Sequence, residues 1–348
     1  MRIVLRLVLA AIAATAFAAP AAAQNKFRVA WSHYTGWEPW GYAQSTGIMK
    51  KWAAKNGIDV EIVLVNDYVE SINLYTAGKF EACAMTNMDA LTIPAVGGID
   101  TTALIVGSFS NGNDGIVIKG GNAVKDLKGR SVKLVEFSVS HYLLARALTM
   151  NGLTEKDVRT VNTSDADIAA VFASDAKGAA VTWNPPLQQA RNAKVAKMVF
   201  DSSQIPGEII DLMVVKSNAP ESLRKALAGA WYEAMRVMSG TDKPANDALE
   251  AMAKGSGATL AEFKAQLQTT ALFPKAADAA KFAASPDLKK TMEQVRTFTF
   301  SKGLFGKGAK SKDFVGIEFP DKSVLGDAKN VKLRFNSSVM QLAADGKL

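Results

Sequence analysis

Short apolar or alternating runs, separated by stretches of helix length, recur from residue 26 to about residue 215. This alternation limits the fold more than any other feature of the sequence. Lys26 to Trp31 reads as a first strand. A loop over 32–39 and a helix of about 40–56, stopped by Gly57, follow it. Residues 59–65 alternate as a half-buried strand does. Asp67 can cap a helix over 68–77, residues 81–85 form a third short strand, and Thr86-Asn87-Met88-Asp89 opens another helix. Further strands are expected at 103–106, 116–118, 131–135 and 179–182, and helices at 138–150 and 165–174. Repeated strand–helix units point to an α/β chain built on a parallel sheet. Apolar runs near Ile116 and Leu212 fit two crossings between lobes, with 115–210 inserted into an outer lobe of 24–114 and 211–348. From Ala219 onward the pattern is mainly helical, punctuated by Gly and Pro.

The first 23 residues have the three parts of an export signal. These are Arg2 and Arg6, an apolar run from Leu7 through Phe17, and an Ala-rich end before Gln24. The run is short for a membrane span, and no Cys follows the cleavage point, so a lipid anchor there is not expected. Removing the segment lowers the formal charge from +8 to +6 and leaves roughly 325 residues, a fit to two domains. The chain is expected to be soluble outside the cytoplasm. Its excess charge gathers late, at Lys302, Lys307, Lys310, Lys312 and Lys322. That reads as a solvated face, because no nucleic-acid motif accompanies it. Cys83, the single cysteine, lies in an apolar stretch and is expected to pack as a small hydrophobe.

Several strings carry a resemblance. They are Gly36-Trp37-Glu38-Pro39-Trp40-Gly41-Tyr42, Asn66-Asp67-Tyr68-Val69-Glu70-Ser71-Ile72, Met85-Thr86-Asn87-Met88-Asp89-Ala90-Leu91, Ser138-Val139-Ser140-His141-Tyr142 and Thr182-Trp183-Asn184-Pro185. With the order of elements, they resemble solute-binding proteins of the nitrate/taurine/sulfonate (NMT1/THI5-like) ABC transporter class. The nearest likeness is to the branch of urea-transporter binding proteins associated with urea carboxylase-type enzymes, some of which act on guanidine. The resemblance implies a type II periplasmic binding protein fold: two doubly wound lobes joined by two crossover strands. It also implies a periplasmic monomer that passes a small molecule to a permease and ATPase. Ligands in such sheets sit at the carboxyl ends of strands, and hinge closure buries them.

That rule selects residues. The loop after the first strand offers Trp31, His33, Tyr34, Trp37, Glu38 and Trp40, of which Trp37 and Glu38 stand first; ordinary core packing is the alternative. After the third strand come Thr86, Asn87 and Asp89, which either meet a ligand or simply cap the helix. The inserted lobe offers Glu136, Ser138 and His141, then Trp183 and Asn184 before two prolines. Asp114 and Asp211 sit near the two crossings, to touch ligand or to bond hinge backbone. The only other histidine is His33, so a zinc site is not expected, nor any other metal or cofactor.

Charge separates the ligand classes. A sulfonate or nitrate would call for Arg, Lys or an array of N–H donors, and these loops contain almost none. Carboxylates and indoles suit a planar cation such as guanidinium, or with more donors a urea-like solute. An enzyme or a sensor on the same fold is the rival class. No Gly-x-Ser-x-Gly, phosphate loop or metal cluster supports catalysis.

Overall fold

The computed structural model describes residues 26–348; the expected export signal lies outside them. Two sheets organise the chain. Ten strands come before residue 220: β1 Lys26–Trp31, β2 Asp59–Leu64, β3 Ala82–Thr86, β4 Thr101–Ser110, β5 Asp114–Lys119, β6 Ser131–Leu134, β7 Arg159–Asn162, β8 Ala179–Trp183, β9 Ala196–Asp201 and β10 Ile210–Lys216. Four shorter ones follow: β11 Thr270–Leu272, β12 Gly316–Glu318, β13 Val324–Leu325 and β14 Val331–Phe335. The larger sheet runs β13-β12-β14-β4-β10-β3-β1-β2, with β11 on the end of β4; the smaller runs β7-β6-β8-β5-β9. Each sheet carries helices, so its central strands β3, β5 and β10 read as nearly unbroken apolar runs.

The strand–helix alternation points to a parallel sheet, and both sheets are mixed. β10 runs antiparallel to β3 and β4, and β5 runs antiparallel to β8 and β9. These are the strands by which the chain enters each sheet from the other. It leaves the larger sheet after β4, crosses at 111–113, and returns across 202–209. A local hydrophobic pattern carries no record of strand direction, which tertiary pairing decides.

The expected helix over 40–56 is two helices, Glu38–Ser45 and Ile48–Lys55. Gly47 breaks it at φ +79, a left-handed conformation that a side chain resists. The expected helix at 165–174 starts later, at Ile168, which frees Asp165 for the gap between the sheets. Strands β7, β9 and β12–β14 were not expected. They are short or at sheet edges, with irregular burial patterns that mask a two-residue period. Cys83 is fully buried in β3, and burial pushes its thiol up to about 12.

The helix Glu221–Met238 packs across both Glu38–Ser45 and Ile48–Lys55. Trp231 stacks on Trp40 with ring centroids 4.8 Å apart, and Gly229 lets the Trp52 ring lie directly on the helix backbone. No described helix is long and apolar enough to cross a membrane.

Candidate functional site

Between the two sheets lies a pocket lined by Tyr34, Trp37, Tyr68, Thr86, Asp114, Val139, Trp183, Ile209 and Asp211. Six of these positions follow from chain geometry. Tyr34 and Trp37 leave the loop after β1. Tyr68 begins the helix after β2, and Thr86 ends β3. Val139 begins the helix after β6, and Trp183 ends β8. Asp114 opens β5, Asp211 lies near the start of β10, and Ile209 precedes it, so the remaining three frame the two crossings.

The walls are aromatic. Ring centroids lie 5.1 Å apart for Tyr34 and Trp37, 5.6 Å for Trp37 and Tyr68, and 5.4 Å for Tyr68 and Trp183. Three polar atoms buried in this lining have no hydrogen-bond partner: the Tyr34 hydroxyl, Trp37 Nε1 and Asp114 Oδ2. Buried polar groups are nearly always paired, so an unpaired donor and acceptor facing one cavity mark a place for a guest. No Lys or Arg lines the pocket.

Its carboxyl groups lack counter-charges. Burial raises Asp114 to about 7, with the Ser110 hydroxyl opposing and the charge of Asp89 adding to the rise. Asp211 goes well above the usual carboxylate range, chiefly from burial. Its bond from the Ser108 hydroxyl at 2.6 Å opposes the shift, and the charge of Asp114 adds to it. Asp89 sits behind the wall and accepts from the Tyr68 hydroxyl at 2.6 Å and from Thr86 Oγ1 at 2.7 Å. Burial lifts it to about 6 against those two bonds. Asp89 therefore holds Tyr68 in place from behind.

The pocket is almost shut. The space open to the centre of a water-sized sphere is ≈ 10 Å³, about what one water needs. Contacts between the halves seal its mouth. Trp183 Nε1 donates to the His33 carbonyl at 3.4 Å, Ser164 Oγ to Asp67 Oδ2 at 3.1 Å, and the Tyr68 amide to Asp165 Oδ1 at 3.4 Å. Hydroxyls tie the two crossings together: Ser110 and Ser202 meet at 2.6 Å, and Ser202 Oγ accepts from the Gly112 amide at 2.7 Å.

Of the residues the sequence singled out, the pocket brings together Tyr34, Trp37, Thr86, Asp114, Trp183 and Asp211, and places Asp89 directly behind them. It leaves out His33, Trp40 and seven more. Trp31 and Glu38 line a separate groove of ≈ 470 Å³ with His33 and Tyr42. There the Glu38 carboxylate, at the start of the helix Glu38–Ser45, is buried against His33 Nδ1 at 2.7 Å. Asn87 ties its helix to the return crossing, accepting from the Ile210 amide and donating to the Glu208 carbonyl. Ser138 caps its helix by accepting from the Ser140 amide at 3.1 Å. His141 turns to Glu155, 2.7 Å away, and accepts from the Phe137 amide; burial, reinforced by nearby Lys302, lowers it to about 4. Glu136 bonds Thr160 at the rim of the smaller sheet. Asn184 donates its amide to Asn113 and precedes a cis proline. Tyr68, Val139 and Ile209 join the lining from outside the chosen set. Tyr68 carried the same signal as its neighbours, a first helical residue at the carboxyl end of a strand.

Because Glu38 faces the other groove, Glu38→Gln is expected to leave affinity for the pocket's ligand within about threefold while lowering Tm. A loss beyond tenfold in titration would place Glu38 in the binding machinery after all.

Two mixed sheets with their helices, joined by two crossings and closing over a pocket at strand ends, make the fold of the periplasmic binding proteins. The chain belongs to the NMT1/THI5-like family, whose model matches residues 45–219. The alkanesulfonate-binding protein SsuA from Xanthomonas axonopodis pv. citri bound to MOPS is similar with a TM-score of 0.66 at 14% identity, over 81% of this chain and 95% of that one. The aliphatic sulphonate binding protein SsuA from Escherichia coli gives 0.64 at 16%, over 81% and 94%. The nitrate-binding protein NrtA from Synechocystis PCC 6803 gives 0.58 at 13%, over 93% and 98%. No curated protein matches the chain.

Proposed function

We propose that this protein is the periplasmic solute-binding component of an ABC importer and captures a small, planar, nitrogen-rich solute, guanidinium or a urea-like molecule. It would act as a monomer, with an outer lobe of 24–114 and 211–348 closing on an inserted lobe of 115–210. The closed form would then meet a permease and its ATPase. The observation that carries the ligand class is the lining itself: four aromatic rings, two buried aspartates, a free indole N–H and no basic side chain. A flat cation meets the ring faces through its π-side and the carboxylates through its edge N–H groups.

A second reading takes the ligand as a sulfonate or nitrate, for which the similar solved proteins are named. Helix starts at Tyr68, Asn87 and Val139 near the pocket favour anions in principle. Here the caps Asp67, Thr86 and Ser138 already occupy one N–H group at each of those starts, and no Lys or Arg lines the pocket to balance an anion.

Titration calorimetry with guanidinium, urea, taurine and nitrate separates the readings. The best small ligands gain at most ~1.5 kcal/mol per heavy atom, so four heavy atoms allow ~6 kcal/mol, a dissociation constant of some tens of micromolar. Heat with guanidinium in that range is expected. Heat with taurine or nitrate alone would reverse the assignment.

A further inference from the structure

We propose, resting on the reading of this pocket as a site for nitrogenous solutes, that its ligand is a permanent organic cation taken up in exchange for one proton held on Asp114. The geometry places Asp114 alone in this role. Its Oδ2 is buried in the pocket lining without a hydrogen-bond partner, whereas Asp211 already accepts from Ser108 and Asp89 from Tyr68 and Thr86. The groups facing this cluster are Tyr34 from the loop after β1, Ser110 at the end of β4, Asp89 behind β3, and Asp211 on β10. None carries a positive charge that could serve as counter-ion.

Several buried carboxylates held together need a counter-charge. A proton supplies it. When a cation arrives, the Asp114 O–H bond breaks heterolytically, its electron pair stays on oxygen, and the proton passes to solvent. The cation then pairs with the carboxylate. No oxidant or co-reactant is involved. The position also couples charge to closure. The Asp114 amide is held by Ser110 Oγ at 3.0 Å, and Ser110 bonds Ser202 across the two crossings, so the ion pair forms on the hinge itself.

Linkage fixes the sign. Asp114 is raised to about 7 in the folded protein from the ordinary 3.8 of a free aspartate. Below that value a bound proton must leave before the cation pairs, so affinity falls with acidity by up to ~10-fold per pH unit. A neutral ligand such as urea needs no such release.

The test is calorimetry of guanidinium at about pH 6 in phosphate, histidine and other buffers of differing ionisation enthalpy, with the full chain. The expected result is close to one proton released per guanidinium, falling toward none above about pH 8. Asp114→Asn is expected to abolish the release and weaken guanidinium at least tenfold, with its melting curve confirming a folded protein. Guanidinium binding with no buffer dependence in the wild type would overturn the exchange and leave the pocket assignment standing. No guanidinium binding at any pH would remove both.

Discussion

Trp183→Ala is expected to weaken ligand binding about thirtyfold, a loss of ~2 kcal/mol, the scale of a desolvated cation–π contact and of a binding hot spot. Trp183 is nearly fully buried, packs edge-on against Tyr68 at 5.4 Å, and reaches across the gap to the His33 carbonyl. It therefore contributes a wall and a latch together. Against a ceiling of ~6 kcal/mol for a four-atom ligand, this loss moves the dissociation constant from tens of micromolar toward the millimolar range. Fluorescence or calorimetric titration measures it. Stability changes less, because Trp183 sits at the end of its strand and borders the pocket on one side. An affinity unchanged within threefold would show that the ligand does not lie against this ring.

Trp231→Ala should act on stability instead. The ring is 1% exposed, stacks on Trp40 at 4.8 Å, and fills the space above Gly107, where an added Cβ would lie 2.8 Å from the indole. Removing a buried Trp leaves a cavity and typically costs about 3–5 kcal/mol, which here means a Tm lower by several degrees or more. Trp40 belongs to the helix that follows the Tyr34–Trp37 loop, so the floor of that loop loosens with it. Affinity should fall modestly while thermal unfolding shifts strongly. Calorimetric unfolding with and without ligand separates the two effects, and a Tm within two degrees of the parent would contradict the packing role.

The alternation of strand and helix made the α/β class legible, because periodicity of burial is a local property of the chain. Strand direction was not legible: that β5 and β10 run against their neighbours depends on partners far away in sequence. The site was legible at the level of loops. The rule that ligands gather at carboxyl ends of strands pointed to the segments holding Tyr34, Trp37, Thr86 and Trp183, all of which line the pocket. Within a segment the rule cannot tell which side chain turns inward. Trp37 and Glu38 are adjacent, yet one faces the pocket and the other a separate groove with His33. Glu136 and His141 lie in a suitable loop and helix start, and both find partners elsewhere, in Thr160 and Glu155. Asp114 was visible only as a crossing residue. Its unpaired carboxyl oxygen emerges when β5, β8 and β10 are assembled around it.

The most direct measurement is a structure of the protein crystallised with guanidinium at neutral pH. The flat ligand should lie among Trp37, Tyr68 and Trp183 with an N–H edge on Asp114. Density in the outer groove beside Glu38, or an anion held in the pocket in its place, would contradict the assignment.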